Sequence, residues 1–277
     1  MEFPDASAKP ANMIWPQDAS AFEVLKRFID SEPVNAIPDA DWRGMLAALG
    51  IVKGKPFNPD PHTREVLDKA AKTAWKMRKV IAYEDTQTWA GSHVFPDRQW
   101  LDPNLNLALD LTWMRTAGNY RDLDARIAFF TCYYSTSPGM ISRVPGLGAR
   151  YMVAFKDSDG DPLLGGKHYR LNLPKGIPAE RFWSLTLYDA EQASGLANGQ
   201  PFPSFGSRDN PVANADGSVD LYLGPTAPAG KEKNWMRTVP GKGYFTIIRL
   251  YGPSEAAFSG WPWFDKNWKP GDVEKVK

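Results

Sequence analysis

The second half of the chain is a series of short alternating runs separated by sharp turns, and this pattern constrains the fold most. Such runs occupy residues 151–155, 168–173, 181–189, 218–223 and 244–251. Asp-Gly pairs at Asp159-Gly160 and Asp216-Gly217 are typical of hairpin turns between paired strands. Because the runs are too closely spaced for crossover helices, we expect antiparallel pairing, with at least five strands between residues 157 and 252. The pattern predicts a β-sandwich with a jelly-roll-like topology.

The first half of the chain is predicted to be mainly helical. Apolar residues at helical spacing, bounded by Asp or Ser caps and by proline or glycine stops, mark helices near residues 18–32, 39–50, 60–81 and 122–137. Pro-Gly pairs at residues 138–139 and 145–146 mark the junction between the two halves. The sequence therefore predicts an α+β fold: a mainly helical region over residues 1–150, then an antiparallel β-sandwich over residues 151–277 with an aromatic C-terminal tail.

Charge and composition argue against several classes of protein. Lys and Arg total 33 against 32 for Asp and Glu, so there is no basic field to hold nucleic acid. No apolar run approaches the roughly 20 residues of a membrane span, and the first residues lack a secretory signal. A single cysteine, Cys132, excludes an intramolecular disulfide. We expect a soluble protein without a nucleic-acid partner, whose compartment and oligomeric state the sequence does not indicate.

Five separate sequence blocks in the second half carry a family resemblance. They are residues 159–163 (DGDPL), 182–189 (FWSLTLYD), 214–220 (NADGSVD), 228–235 (PAGKEKNW) and 249–253 (RLYGP). Together, and in this order, they resemble the bacterial DUF1214 family of unknown function, whose members usually follow a partner domain, DUF1254. The resemblance extends over residues 157–274 and more loosely into the helical region.

This resemblance implies a jelly-roll-like β domain with helices beside it, in a periplasmic, envelope-associated or secreted bacterial protein. Longer members carry a further N-terminal β domain, and nothing in residues 1–50 resembles it, so the chain looks like a short or truncated form. The family implies no catalytic residues, and none is assigned on this basis.

Strand alternation sorts the polar side chains of the β half into candidate faces. One conceivable face would combine seven residues: His168, Arg170, Tyr188, Asp220, Tyr222, Arg249 and Tyr251. Arginine offers a planar fork for carboxylates, tyrosine a ring and a hydroxyl, and histidine a group that titrates near neutral pH. These residues predict a site for a small polar or carbohydrate-like ligand. The alternative is structural: Arg249, at least half buried, forms an ion pair with Asp220.

Other chemistries find little support in the sequence. Asp157, Asp159 and Asp161 have the odd-numbered spacing of a calcium loop, but the required glycine and glutamate are absent, so a hairpin turn is predicted instead. The three histidines have no paired spacing for zinc, and no serine elbow or nucleotide fingerprint occurs. We therefore expect neither a metal nor an organic cofactor. An aromatic cluster at residues 261–268 could stack on sugar rings or clamp the tail onto the core.

The sequence leaves two functions open. The first is a binding or accessory protein with an aromatic and polar ligand surface. The second is a cofactor-independent hydrolase or lyase that uses a polar site between the helices and the β domain. An enclosed pocket joining His168 or Arg249 to a carboxylate would favour the enzyme, whereas an open aromatic surface would favour binding.

Overall fold

Residues 12, 14–34, 40–89, 92–102, 114–115, 120–121, 123–133, 148–254 and 268–276 are described by the computed structural model. The chain divides into two units, Met1–Met77 and Arg78–Lys277. This division falls inside a helix, and the predicted boundary at residue 150 stays a prediction. None of the helices within these ranges has the length and apolar character needed to cross a membrane.

The first unit contains helices whose ends follow the predicted signals. They are α1 (Ser20–Ser31), α2 (Ala40–Ala48) and the first part of α3 (Pro61–Tyr83). The Asp18 carboxylate accepts the Ser20 amide at 2.9 Å at the start of α1, and the Asp60 carboxylate accepts the Thr63 amide at 2.7 Å in α3. Gly50 follows α2 with φ of +85°, the left-handed conformation that ends a helix at low cost in a glycine. These three predicted helices are confirmed.

The second unit contains the end of α3, a fourth helix and every strand that the structure describes. Helix α4 spans Leu123–Tyr133, and the predicted continuation of this helix lies outside the described residues. The strands are β1 (Met114–Arg115), β2 (Tyr120–Arg121), β3 (Ala149–Ala154), β4 (Tyr169–Leu173), β5 (Ala179–Asp189), β6 (Ser204–Gly206), β7 (Val219–Gly224), β8 (Trp235–Arg237), β9 (Tyr244–Pro253) and β10 (Glu274–Lys275). The α+β class is therefore confirmed.

Two four-stranded sheets form the β region. The first sheet has the order β3-β9-β5-β6 and is antiparallel throughout. The second has the order β10-β4-β7-β8, in which β7 and β8 are parallel and the other pairs antiparallel. The five strands β4, β5, β6, β7 and β9 confirm the predicted antiparallel pairing. Strand β8 departs from it, because the segment after β7, which includes a short 3-10 turn at Glu232–Asn234, returns the chain so that β8 lies parallel to β7.

The main hydrophobic core draws side chains from both sheets, so the sheets pack as a sandwich. Leu185 and Leu187 of β5 meet Leu171 of β4, Leu221 of β7 and Ile248 of β9, and each of these five side chains is fully buried. Burying one such side chain contributes about 1.5–3 kcal/mol, so this interior dominates the stability of the region. The predicted core faces of β5 and β7 are confirmed, and the jelly-roll topology stays a prediction.

Residues 268–276 pack against the rest of the second unit. Trp268 is buried, and its indole N–H donates to the Pro174 carbonyl at 3.0 Å. The indole of Trp100 donates to the Gly271 carbonyl at 2.8 Å. Trp268 therefore clamps onto the core, as one of the two readings of the aromatic tail predicted. The other members of that cluster lie outside the described residues.

Candidate functional site

The outer face of the second sheet is the side that points away from the core, and a row of four side chains crosses it. Glu274 of β10 lies opposite Arg170 of β4, Arg170 opposite Tyr222 of β7, and Tyr222 opposite Trp235 of β8. Each of these residues has at least one neighbour along the chain in the core, so strict alternation places all four side chains outward; these core neighbours are Val273, Tyr169, Leu171, Leu221, Leu223 and Met236. The row joins an ion pair at one end to two neighbouring aromatic rings at the other.

The two aromatic rings of the row are held in place by neighbours. The indole N–H of Trp235 donates to the Gly224 carbonyl of β7 at 2.9 Å, which holds the indole against the sheet. The Arg237 guanidinium lies 5.5 Å from the centre of the Trp235 ring, and the Lys231 ammonium lies 5.7 Å from that of Tyr222. Cations at such distances are attracted to the ring faces. Both rings are only partly covered by protein.

His168 lies beside this aromatic pair because residue 224 is a glycine. A Cβ atom at Gly224 would stand 2.4 Å from Nδ1 of His168, so any other residue would displace the imidazole. The imidazole is partly exposed, which leaves a histidine near Tyr222 and Trp235 on the same surface.

The remaining polar side chains of this face hydrogen-bond one another. The amide of Asn172 donates to the Asp220 carboxylate at 2.8 Å. Arg170 donates to Glu274 at 2.9 Å, and this hydrogen bond is the main cause of a raised Arg170 pKa. All four side chains are at least partly exposed. The outer face of the second sheet therefore combines aromatic rings with fixed donors and acceptors.

The outer face of the first sheet carries a different cluster around Arg249. Its guanidinium donates to Thr186 Oγ1 at 2.7 Å and to the Tyr188 hydroxyl. The guanidinium carbon lies 5.7 Å and 5.4 Å from the ring centres of Tyr151 and Tyr188. Burial, followed by the nearby Tyr251, raises the pKa of Tyr151. Arg249 is thus enclosed by tyrosines and mostly buried, as the sequence predicted.

Tyr251 belongs to a stack at the end of the first sheet. Its ring lies 4.0 Å from that of Phe182, at an angle of 17°, and the Arg208 guanidinium lies 3.9 Å above Phe182. This column packs two rings and a cation along the surface, an arrangement that stabilises the first part of β5 and the last part of β9.

The seven residues expected to share one face are divided between two. His168, Arg170, Asp220 and Tyr222 lie on the outer face of the second sheet, whereas Tyr188, Arg249 and Tyr251 lie on that of the first. The predicted ion pair between Asp220 and Arg249 is therefore wrong, because the core separates the two side chains. Strand parity indicates on which side of a strand a residue lies, but not to which sheet the strand belongs.

A polar cleft of about 580 Å³ lies beside the turn that follows β5. Lys242 pairs with Asp189 at 2.7 Å and Lys79 with Glu191 at 2.6 Å along its walls. Asp189 also accepts the backbone amide of Glu191 at 2.8 Å. These two ion pairs bind their charges to each other and to the turn, so they are arranged to support the local backbone, and Glu84, which also lines the cleft, pairs with Lys156 at 2.6 Å.

The aspartate turn after β3 is bound by a lysine. Asp157 accepts the amides of Asp159 and Asp161 at 3.0 Å and 3.1 Å, which confirms the predicted turn. The Lys275 ammonium lies 3.1 Å, 3.1 Å and 2.6 Å from the three carboxylates. Within the residues that the structure describes, no group of three or more His, Cys, Asp or Glu side chains could hold a metal ion.

Trp235 and Asn172 were missing from the predicted site. The three-residue strand β8 is too short for alternation to reveal it, so Trp235 appeared only within a block of family resemblance. Asn172 alternates with apolar neighbours in β4, and its cross-strand partner Asp220 emerges only from the register. The signal for Trp235 is its position two residues before Arg237, with the buried Met236 between them.

Comparison with known proteins agrees with the resemblance read from the sequence. Residues 148–255 match the family described as a protein of unknown function, DUF1214. No curated protein matches the chain in sequence.

Two solved structures are similar to this chain. One is the VPA0106 protein from Vibrio parahaemolyticus, with 18% identity and a TM-score of 0.42, covering 100% of this chain and 58% of that one. The other is an uncharacterised protein from Burkholderia cenocepacia, with 13% identity and a TM-score of 0.38, covering 93% of this chain and 50% of that one. The chain thus spans between half and three fifths of the length of these relatives. Its C-terminal region, residues 148–255, carries a DUF1214 domain.

Proposed function

We propose that the DUF1214 domain is a non-catalytic binding module for carbohydrate, and that the ligand lies along the outer face of the second sheet. The observation that supports this most is the neighbouring pair Tyr222 and Trp235, which stand side by side on an otherwise polar sheet surface. A sugar ring has an apolar face of C–H groups and a rim of hydroxyls. A flat aromatic surface with polar groups beside it can therefore bind a sugar ring.

The polar side chains beside the rings would hydrogen-bond the hydroxyl groups of the sugar. Asn172 has donors and an acceptor, Asp220 accepts, and His168 can do either according to its tautomer. Their hydrogen bonds fix the side chains before a ligand arrives: Asn172 is bound to Asp220, and His168 rests on Gly224. Such preorganisation lowers the entropy lost on binding.

The shape of the surface favours an extended ligand. The row from Glu274 to Trp235 crosses four strands, which are spaced about 4.8 Å apart. A ligand that follows this row would contact the ion pair, the tyrosine and the indole in succession. An oligosaccharide of a few residues has suitable dimensions, and a role of this kind would suit a secreted or envelope-associated protein. No cofactor is needed for it.

Affinity electrophoresis in gels that contain soluble polysaccharides tests this proposal. We would use dextran, xylan, β-glucan and alginate as probes with the full chain. Retardation of the wild type by at least one of them is expected. Trp235→Ala should weaken the apparent affinity about tenfold, since an aromatic contact contributes about 0.5–1.5 kcal/mol beyond its buried area.

Phe202→Ala is the matched control for the aromatic substitution. Phe202 lies in the same domain but outside the proposed surface, and it is 75% exposed. This variant should migrate as the wild type does in every gel. A wild type that no polysaccharide retards, or equal losses in Phe202→Ala and Trp235→Ala, would contradict the proposed function.

A second candidate, the cofactor-independent hydrolase or lyase, is favoured by the contact between Arg249 and the Tyr188 hydroxyl. A guanidinium at a phenol oxygen can balance the negative charge that develops when a substrate proton is removed. Incubation with alginate would then yield unsaturated products, detected by ultraviolet absorbance. Tyr188→Phe should abolish this signal and leave binding to the second sheet unchanged.

A further inference from the structure

The aromatic end of the proposed carbohydrate surface carries two cations that are placed on rings and not on carboxylates. The Arg237 guanidinium lies 5.5 Å from the centre of the Trp235 ring, and the Lys231 ammonium 5.7 Å from that of Tyr222. Within the part of the chain that the structure describes, neither cation forms an ion pair. Other lysines of the second unit each pair with a carboxylate: Lys156, Lys242, Lys269 and Lys275.

The charged residues around these two rings leave an excess of positive charge. Residues 219–237, which form β7, β8 and the turn between them, contain three cations and two carboxylates: Lys231, Lys233 and Arg237, and Asp220 and Glu232. Both carboxylates accept amide hydrogen bonds, Asp220 from Asn172 at 2.8 Å and Glu232 from the Gly230 backbone at 3.0 Å. On β4 and β10, Arg170 pairs with Glu274 and Lys275 with the aspartate turn. The excess is therefore carried beside the rings, and protonation of His168 would add to it.

The segment of residues 198–200 fixes Arg237 at the outer edge of β8. The Arg237 amide donates to Oε1 of Gln200 at 2.9 Å, and its carbonyl accepts Nδ2 of Asn198 at 2.8 Å. A Cβ atom built at Gly199 would lie 3.5 Å from Nη1 of Arg237, so the guanidinium packs against the backbone there. The guanidinium is therefore held next to Trp235 before a ligand arrives.

The guanidinium of Arg237 keeps its donors for a ligand. Arg237 is exposed, and among the described residues its guanidinium donates no hydrogen bond. Its distance of 5.5 Å from the Trp235 ring centre exceeds the 3.9 Å between Arg208 and Phe182, so it does not stack closely on the indole. A guanidinium offers a planar pair of donors that matches the two oxygens of a carboxylate, whereas the lysine ammonium acts as a point charge.

We propose that the carbohydrate is an acidic polysaccharide of uronic acids, in which one sugar ring contacts Trp235 and its carboxylate accepts two hydrogen bonds from Arg237. Lys231 attracts the carboxylate of a neighbouring sugar at Tyr222. This inference rests on the proposed function and adds the class of sugar and the residue that selects it. A uronate carries its carboxylate at the edge of the ring, within reach of a cation beside the indole, whereas a neutral sugar would leave both cations without an anion.

Affinity electrophoresis of the full chain with matched acids and esters tests this selection. Polygalacturonate and its methyl ester have the same sugar rings and differ in charge, as do alginate and its propylene glycol ester. In buffer of about 0.15 M ionic strength, which screens distant charges, the acids should bind about tenfold more tightly than the esters. Dextran sulfate should bind more weakly than either uronate polymer. Equal binding of acids and esters would overturn the uronate assignment, and so would dextran sulfate binding as tightly as the uronates.

Arg237→Gln tests the selecting residue, because it removes the charge and leaves a polar side chain. Its affinity for polygalacturonate should fall about tenfold, since a charge-assisted pair is roughly twice as strong as a neutral hydrogen bond. Its affinity for the methyl ester should stay that of the wild type. Arg208→Gln is the matched control, because Arg208 also lies over an aromatic ring, Phe182, but on the first sheet. Equal losses of polygalacturonate binding in the two variants would refute the role of Arg237.

The same gels separate a failure of this inference from a failure of the proposed function. If no polysaccharide, acidic or neutral, retards the wild type relative to a gel without polysaccharide, the second sheet does not bind carbohydrate and both proposals fall. If dextran, xylan or the esters retard it as strongly as the acids do, and Trp235→Ala abolishes this, the carbohydrate surface stands and the uronate assignment alone is wrong.

Discussion

Asp189 is expected to stabilise the turn that follows β5 more than any other carboxylate on that turn. Its side chain is 8% exposed, and its Oδ1 accepts the amides of Glu191 at 2.8 Å and Gln192 at 3.2 Å. Its other oxygen pairs with Lys242. Asp189→Ala removes all three interactions in a place that little water reaches, whereas Asp189→Asn keeps an acceptor for the amides and removes only the charge.

The magnitudes follow from these contacts. Hydrogen bonds to a charged group contribute about 1.5–3 kcal/mol and neutral ones about 1 kcal/mol. The ammonium of Lys242 is half exposed, so the ion pair adds at most about 1 kcal/mol. We therefore expect the free energy of unfolding to fall by about 3 kcal/mol in Asp189→Ala and by about 1 kcal/mol in Asp189→Asn. Lys242→Met, which removes only the exposed partner, should cost less than about 1 kcal/mol.

Urea denaturation at pH 7 and at pH 3 measures these differences and their dependence on charge. Burial alone would raise the pKa of Asp189, but the hydrogen bonds from Lys242 and from the turn amides hold it below its usual value of 3.8. A carboxylate with a lowered pKa stabilises the folded state above its unfolded pKa and loses this effect as the pH falls through the folded value. The loss in Asp189→Asn should therefore shrink at pH 3. Equal losses in the Ala and Asn variants, or a loss that does not depend on pH, would refute the reasoning.

Three further outcomes are expected. Losses of stability from Asp220→Ala and Arg249→Leu should add in the double variant, because the core separates the two residues; denaturant melts that show strong coupling would contradict this. Gly206→Ala should cost about 3 kcal/mol in a urea melt, since a Cβ atom would stand 2.1 Å from a backbone carbonyl of β5. Lys275→Met should lower the melting temperature at pH 7, and the difference should narrow in acid as the Asp161 carboxyl, whose pKa is lowered mainly by its hydrogen bond from Lys275, becomes protonated.

The features predicted correctly from the sequence are those that depend on residues close together in the chain. Helix starts at Asp18 and Asp60, the left-handed turn at Gly50 and the turn after Asp157 all follow from local backbone chemistry. The core faces of the strands also follow, because alternation is a local property. These signals identified most elements without knowledge of their partners.

The candidate site was harder to predict because it depends on which strands share a sheet. Strand parity correctly placed Asp220 and Arg249 on the polar faces of their strands. It could not show that the two strands belong to different sheets, so the prediction assigned both residues to one site. Trp235 was missed because a three-residue parallel strand has no pattern of its own and is created by pairing with β7. Pairing of distant segments is a tertiary property, and one sequence carries little information about it.

The central position of β9 in the first sheet governs the order in which that sheet can form. Strand β9 pairs with both β3 and β5, which precede it in the chain and do not pair with each other. While a ribosome synthesises the protein, β3 and β5 therefore emerge with apolar side chains and open edges before their common partner exists. Such strands can associate with strands of other chains, and the sheet forms slowly because its paired strands are far apart in the sequence. Slow expression at low temperature, or a chaperone that holds nascent chains, should raise the yield of folded protein.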